Sequence, residues 1–319
     1  MSKTTLGLIA AASAATGAAC TAIFLSSRKP APAPAQPSPP ANIAAGLARQ
    51  KLERQPSTLV DPAGLFRYGF PGPVNDLATR HALISSYDRR TRNPHWVVEH
   101  ITPESLATKG GDRKHSQFLE DESVPEMFRA KLHDYFRSGY DRGHQVPAAD
   151  CKFSQEAMDA TFYLTNMCPQ VGEGFNRDYW AHFEDFCRRL TTKYPSVRIV
   201  TGPLYLPKQH PDGKWRVSYE VIGNPPNIAV PTHFYKVIVA EDGSTNGPVA
   251  VGAFVLPNAR ITNKTPLTEF VVPLEIVERA SGLEFLKALP NARMKELCQE
   301  IQCDITVREF NNAKKAAKL

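Results

Sequence analysis

The densest cluster of reactive side chains is the stretch 140–150, YDRGHQVPAAD. Arg142 and His144 stand two apart, so on an extended strand both point to one face. Gly143 between them carries no side chain and leaves room for close backbone approach. A cation beside an imidazole suits a site that handles phosphate, because arginine neutralises the oxygens and histidine moves a proton. A solvated arginine next to a packed histidine would leave the same four letters, so DRGH alone is a weak signal. The continuation over 162–184, FYLTNMCPQVGEGFNRDYWAHFE, strengthens it. Asn166 follows a short apolar run, Gly172 and Gly174 make a flexible loop, and Asn176 stands before a helix opening at Asp178. Glu184 lies six residues into that helix and Arg188 one turn further on. By default such an asparagine is an N-cap, and such a Glu/Arg pair is a surface ion pair.

The elements that must position these groups are read from periodicity and turn residues. Strands are expected at 95–101, 197–206, 214–222, 233–240 and 249–256, bounded by Pro, Gly and Asn. Helices are expected at 124–137, 154–161, 178–191 and 273–287. In the third of these Trp180, Phe183, Cys187 and Leu190 fall at helical spacing and define one buried face. Runs of strands with helices between them favour an α+β domain over a doubly wound parallel sheet. No internal repeat and no GxGxxG or GxxxxGK fingerprint is present.

The chain has 319 residues, enough to bury a core without covalent staples, so six cysteines do not make a disulfide scaffold. No CxxC pair occurs, which argues against a structural zinc site. The formal charge of +6 suggests nucleic acid until it is divided. Residues 1–60 hold six bases and one acid, a balance of +5, which leaves +1 for the rest. If the body binds a polyanion, it does so through a local patch. Arg113, Arg142, Arg177, Arg188 and Arg189 are its candidates, although Arg177 and Arg189 equally fit a solvated helix face. Residues 1–29 read as a targeting leader or membrane anchor, with no charge from Leu6 to Leu25. Residues 30–60 are a Pro-rich linker that includes a possible short helix at 42–55. The folded body runs from 61 to 310, and 311–319 is a basic tail.

DRGHQVPAAD, then FYLTNMCPQVGEGFNRDYWAHFEDFCR and VTGPLY, strongly resemble the DNA/RNA non-specific endonuclease family over roughly residues 65 to 310. The resemblance implies a mixed, mainly antiparallel sheet flanked by helices, with a ββα-metal nuclease active-site motif. It implies hydrolysis of DNA and RNA, double- and single-stranded, with products carrying 5′-phosphate ends. His144 corresponds to the general base that activates water. Asn176 corresponds to the side chain that binds the metal directly, and Glu184 to the acid that holds the metal's water shell. Asn166 matches the residue that orients the histidine or those waters. Arg142 and Arg188 match the arginines of the phosphate site, and Arg113 resembles a further arginine acting on the transition state. One asparagine, one acid and several waters suit Mg²⁺, with Mn²⁺ as a substitute. The resemblance also implies a homodimer and a mitochondrial location, at the inner membrane or in the intermembrane space.

Two other readings stay open at this level. One is a membrane-tethered nucleic-acid-binding protein with weak or no catalysis, against which intact His144, Asn176 and Glu184 argue. The other is a phosphodiesterase for small nucleotides. Glu275 lies in a family-like stretch but has no assigned role. Cys298 and Cys303 either pair or remain buried thiols, and Cys168 and Cys187 lie close enough to the site residues to be redox-sensitive. Steep loss of activity with salt is expected if phosphate contacts dominate.

Overall fold

The structure, a computed structural model, describes residues 75–307. The leader, the linker with its expected helix at 42–55 and the tail at 311–319 lie outside the described residues. An eight-stranded sheet forms the centre. Its strands are β1 (Asp76–Thr79), β2 (Leu83–Asp88), β3 (Asn93–Ile101), β6 (Ser196–Leu204), β7 (His233–Glu241), β8 (Val249–Pro257), β9 (Val271–Val272) and β10 (Met294–Glu296). Neighbours in the order β1-β2-β3-β6-β7-β8-β9 are antiparallel, and only β10 runs parallel, along the edge of β8. A separate antiparallel hairpin joins β4 (Tyr140–His144) to β5 (Met167–Val171). The fold is therefore α+β with a mainly antiparallel sheet, as expected.

Central strand β7 is buried on both faces, which is why it reads as an almost unbroken apolar run. Phe234, Ile238 and Ala240 face a core shared with helix α4 (Tyr179–Arg189), the fourth helix after α1 (Pro103–Ala107), α2 (Leu132–Tyr135) and α3 (Gln155–Ala160). Tyr235, Val237 and Val239 face the opposite core, against Val277 of α5 (Leu274–Ser281). The expected apolar face of α4 is present: Trp180 meets Phe234 at 5.6 Å between ring centres and Phe183 meets Phe254 at 5.0 Å. Cys187 and Leu190 complete that face. Burial of such side chains contributes about 1.5–3 kcal/mol each. The hairpin β4–β5 followed by α4 is a β–β–α unit seated on one side of the sheet.

Four sequence expectations need correction. Residues 124–137 form only a 3-10 turn at Glu126–Phe128 and the one-turn α2, broken where Arg129 and Lys131 turn extended. Residues 214–222 are not one strand but two-residue pieces, Trp215–Arg216 and Val221–Ile222, with Trp215, Val217, Tyr219 and Val221 all exposed. Alternating apolar residues there mimicked a half-buried strand. The helix expected at 273–287 stops at Ser281 because Gly282 adopts a left-handed φ of 74° and caps it. The Gly172/Gly174 loop is held rather than loose: Gly174 has φ 80°, and its carbonyl accepts a hydrogen bond from the Ile261 amide at 3.0 Å.

Gly143 has a packing reason beyond its motif. A Cβ built there would stand 2.0 Å from Oε1 of Gln170, a fully buried side chain. The close approach comes from a side chain of the paired strand, two positions along the ladder from Cys168 opposite. Gly143→Ala is expected to destabilise the protein by about 1–3 kcal/mol through overpacking. Gly143→Ala/Gln170→Ala should recover most of that loss, which thermal denaturation of the two variants would check.

Candidate active site

His144 closes β4 and is 8% exposed. Its ring lies between two phenylalanines, edge-to-face with Phe162 at 4.9 Å and tilted to Phe118 at 5.7 Å. The Nε2 atom is sealed from solvent without a hydrogen-bond partner, which leaves Nδ1 as the nitrogen able to meet a water. Burial, and then the nearby charge of Arg113, lower its pKa to about 3. The imidazole is therefore neutral across the physiological range.

The same phenylalanines carry the flanking arginines. Arg142 lies over the Phe118 ring at 4.2 Å and Arg113 over Phe162 at 5.4 Å, and the two rings are 5.1 Å apart. Arg113 sits in a 3-10 turn that Asp112 caps through the Lys114 amide at 2.9 Å. Neither arginine forms an ion pair among the described residues. The cations stand on aromatic faces, which attract them without cancelling their charge.

Asn166 is fully buried with both amide ends on backbone. Its Oδ1 accepts from the Val146 amide at 3.0 Å, and its Nδ2 donates to the carbonyls of Val146 (3.0 Å) and Thr161 (2.8 Å). It thus fixes the chain two residues beyond His144, and its amide has no donor left over for water. Asn176 does not cap α4; Asp178 occupies that position. Instead its Nδ2 donates to Oδ2 of Asp141 at 2.9 Å, and the same oxygen accepts from Nε of Arg177 at 2.7 Å. With its amide nitrogen tied to Asp141, Asn176 presents its carbonyl oxygen to a ligand.

Glu184 and Arg188 share a face of α4 but form no ion pair with each other. Arg188 donates from Nη1 to Oδ1 of Asp150 at 2.7 Å, and its Nη2 lies 3.9 Å from Asp185. Burial pushes the Glu184 carboxyl up to about 7, against the opposing charges of Lys236 and Arg188. The charge of Arg113 is felt by Glu184 as well as by His144. Arg177 is committed to Asp141, and Arg189 to Asp185 and the Asp304 carbonyl. Of the five arginines weighed for a phosphate patch, Arg113 and Arg142 are thus without an acid partner among the described residues.

No group of three or more His, Cys, Asp or Glu among the described residues is arranged to hold a metal. The donors on offer are the Asn176 carbonyl and the Glu184 carboxylate. Few, hard oxygen donors suit a cation that keeps most of its waters. Reading the sequence alone missed Phe118, Phe162, Asp141, Asp150 and Lys236. A lysine inside the apolar run of β7 was the one legible signal, since buried lysines are rare without a partner. Cys168 and Cys187 are buried with thiols pushed up, Cys187 to about 12, so neither is poised as a thiolate. Cys298 and Cys303 form a disulfide.

Removing the Asp141 anchor should misdirect Asn176. Asp141→Ala is expected to lower phosphodiester hydrolysis by about 10–100-fold, the usual cost of losing a group that orients a ligand. Tm and kcat measured together would separate this from a loss of folded protein.

A family model described as DNA/RNA non-specific endonuclease matches residues 61–292. The chain is 66% identical over 258 residues to the mitochondrial nuclease of Saccharomyces cerevisiae, covering 80% of this chain and 78% of the relative. It is 46% identical over 222 residues to the mitochondrial endonuclease G of Homo sapiens, covering 70% and 73%. A chain from the solved EndoG/EndoGI complex, a structure concerned with EndoG inhibition, superposes with a TM-score of 0.67 at 45% identity. That match covers 76% of this chain and 100% of the other. These likenesses show that the chain is an endonuclease and belongs to the DNA/RNA non-specific endonuclease family.

Proposed function

We propose that the protein is a Mg²⁺-dependent, sugar-non-specific endonuclease acting on DNA and RNA, double- or single-stranded, with Mn²⁺ able to substitute. The observation that carries this reading is His144 with Nε2 sealed, packed against two phenylalanines that carry Arg113 and Arg142, neither of which has an acid partner among the described residues. Water attacks phosphorus as Nδ1 of His144 takes its proton. The bond to the 3′ oxygen breaks, leaving a 5′-phosphate and a 3′-hydroxyl. Arg142 and Arg113 bind the phosphate oxygens, and Arg188 supports the charge that develops on them. Asn166 keeps the histidine in place through the Val146 backbone. Asn176, and Glu184 directly or through water, would hold a divalent cation, which when bound would supply neutralisation for the phosphate and the departing oxygen.

Contacts to phosphate rather than to base edges explain why sequence and sugar matter little. We extend the mitochondrial naming of the relatives to this chain, at the inner membrane or in the intermembrane space. The Cys298–Cys303 disulfide supports an oxidising compartment. The uncharged run 6–25 would serve as leader or anchor, and the working unit is a homodimer.

The test is plasmid nicking and RNA cleavage by the full chain. His144→Ala should lose about 10²–10⁴-fold in rate while still binding DNA in EDTA. Undiminished cleavage by that variant would refute the assignment. In metal-free binding assays, Arg113→Ala and Arg142→Ala should each reduce the slope of log affinity against log salt by about 1.

The pH dependence separates the two titrating groups. A carboxyl raised to about 7 gains its proton as pH falls below neutrality, whereas His144, lowered to about 3, stays neutral there. Activity lost between pH 7 and 5 should therefore be recovered by raising Mg²⁺, because metal and proton compete at Glu184. An acid limb that ignores the Mg²⁺ concentration would assign it to another group.

A further inference from the structure

We infer that Asp150 is a positioning residue of the phosphate site, acting through Arg188. The inference rests on the proposed role of Arg188 and adds a residue to which that reading gives no part.

Asp150 ends the stretch that begins at the DRGH motif and is 2% exposed. A turn holds it, its amide donating to the Pro147 carbonyl at 3.0 Å, and that turn starts beside the Val146 backbone locked by Asn166. The loop carrying the base thus continues directly into the carboxylate that grips α4. Oδ1 takes Nη1 of Arg188 at 2.7 Å. The Arg188 side chain is 18% exposed, with Nη1 pinned by Asp150 and Nη2 lying 3.9 Å from Asp185. An arginine has five donors in a rigid fork, so pinning one edge fixes the direction of the others.

The second oxygen of Asp150 has no cationic partner. Glu99 of β3, itself 4% exposed, lies close enough to act on Asp150, and its carboxylate oxygens have no hydrogen-bond partner among the described residues. Burial raises both carboxyls, that of Asp150 against the opposing charge of Arg188. Asp150 is the carboxylate that meets Arg188. A carboxylate clamped between a turn, a central strand and a helix cannot follow a moving substrate. What it can do is hold Arg188 still before substrate arrives, which is where orientation contributes to rate.

The experiment is a double-mutant cycle on kcat and KM for plasmid cleavage, with the full chain as wild type, Asp150→Ala, Arg188→Ala and the double variant. Asp150→Ala should lower kcat by about 10–100-fold, the scale of a misplaced catalytic group. KM should change less than about threefold if the contact is made in the transition state. In the Arg188→Ala background the same substitution should cost nothing further. Asp150→Asn, which keeps an acceptor oxygen, should restore kcat to near the wild-type value. Losses that multiply, or a folded Asp150→Ala with wild-type kcat, would overturn the inference. Should Asp150→Ala not melt cooperatively, Asp150→Ser, too short to reach Nη1, takes its place under the same criteria. If Arg188→Ala itself retains wild-type kcat, the phosphate-site reading of Arg188 fails, and the positioning inference falls with it.

Discussion

At the centre of the sheet, β7 places an ammonium where an apolar side chain would be expected. Lys236 is 1% exposed, its Nζ donating to Oγ1 of Thr201 at 2.8 Å and lying 4.9 Å from the Trp180 ring centre. Isolated burial of such a charge costs several kcal/mol, so carboxylates must gather around it. They come from three directions: Glu99 from β3, Asp150 from the loop after β4, and Glu184 from α4. Arg188 then balances the excess of acid. Lys236 and Arg188 thus stand near a group of acids drawn from the sheet, the loop after β4 and α4. Sheet, loop and helix are bound to one another by charge as well as by the aromatic core, which fixes the height of α4 above the sheet.

The base is treated in the opposite way. His144 is withheld from every carboxylate and enclosed by rings, with Arg113 as the nearest charge to affect it. A carboxylate partner would raise its pKa and favour imidazolium; phenylalanines lower it and favour the free base. Orientation, which a carboxylate also supplies elsewhere, here comes from ring packing and from the Asn166 lock on the adjoining backbone. One fold thus keeps its acids close to cations and its base away from anions, and the charge of Arg113 is felt by Glu184 and His144 alike.

What was legible in the sequence follows from this division. Strands β3, β6, β7 and β8 and helix α4 declare themselves because their apolar periods match a two-sided core. Strands β1 and β2 do not, since Leu77 and Ile84 point to solvent at the sheet edge and break the alternation. The 124–137 and 214–222 segments fail for the reverse reason, apolar spacing without a core to receive it. His144, Asn176 and the arginines were visible as reactive types at suggestive spacings. Their partners were not: Asp141, Asp150 and Phe118 act only through geometry, which no spacing encodes. Asn166, singled out in the sequence, exerts its hold through the backbone of Val146 rather than through the imidazole.

The near-neutral body is the last feature to find its reason. Arg177, Arg188 and Arg189 each meet an aspartate, so they organise the site and add little field beyond it. Arg113 and Arg142 stand on aromatic rings instead, and a cation over a ring keeps its full charge for a ligand. Two unneutralised cations beside a neutral imidazole can draw one phosphate to the base without gripping a long stretch of backbone. With about one counterion released per phosphate neutralised, such a site holds its polymer weakly and releases it readily. An enzyme that must cleave and move on along DNA or RNA is better served by this than by a strongly basic surface. Among these five arginines, the charge left unpaired within the described residues is concentrated beside the His144 pocket.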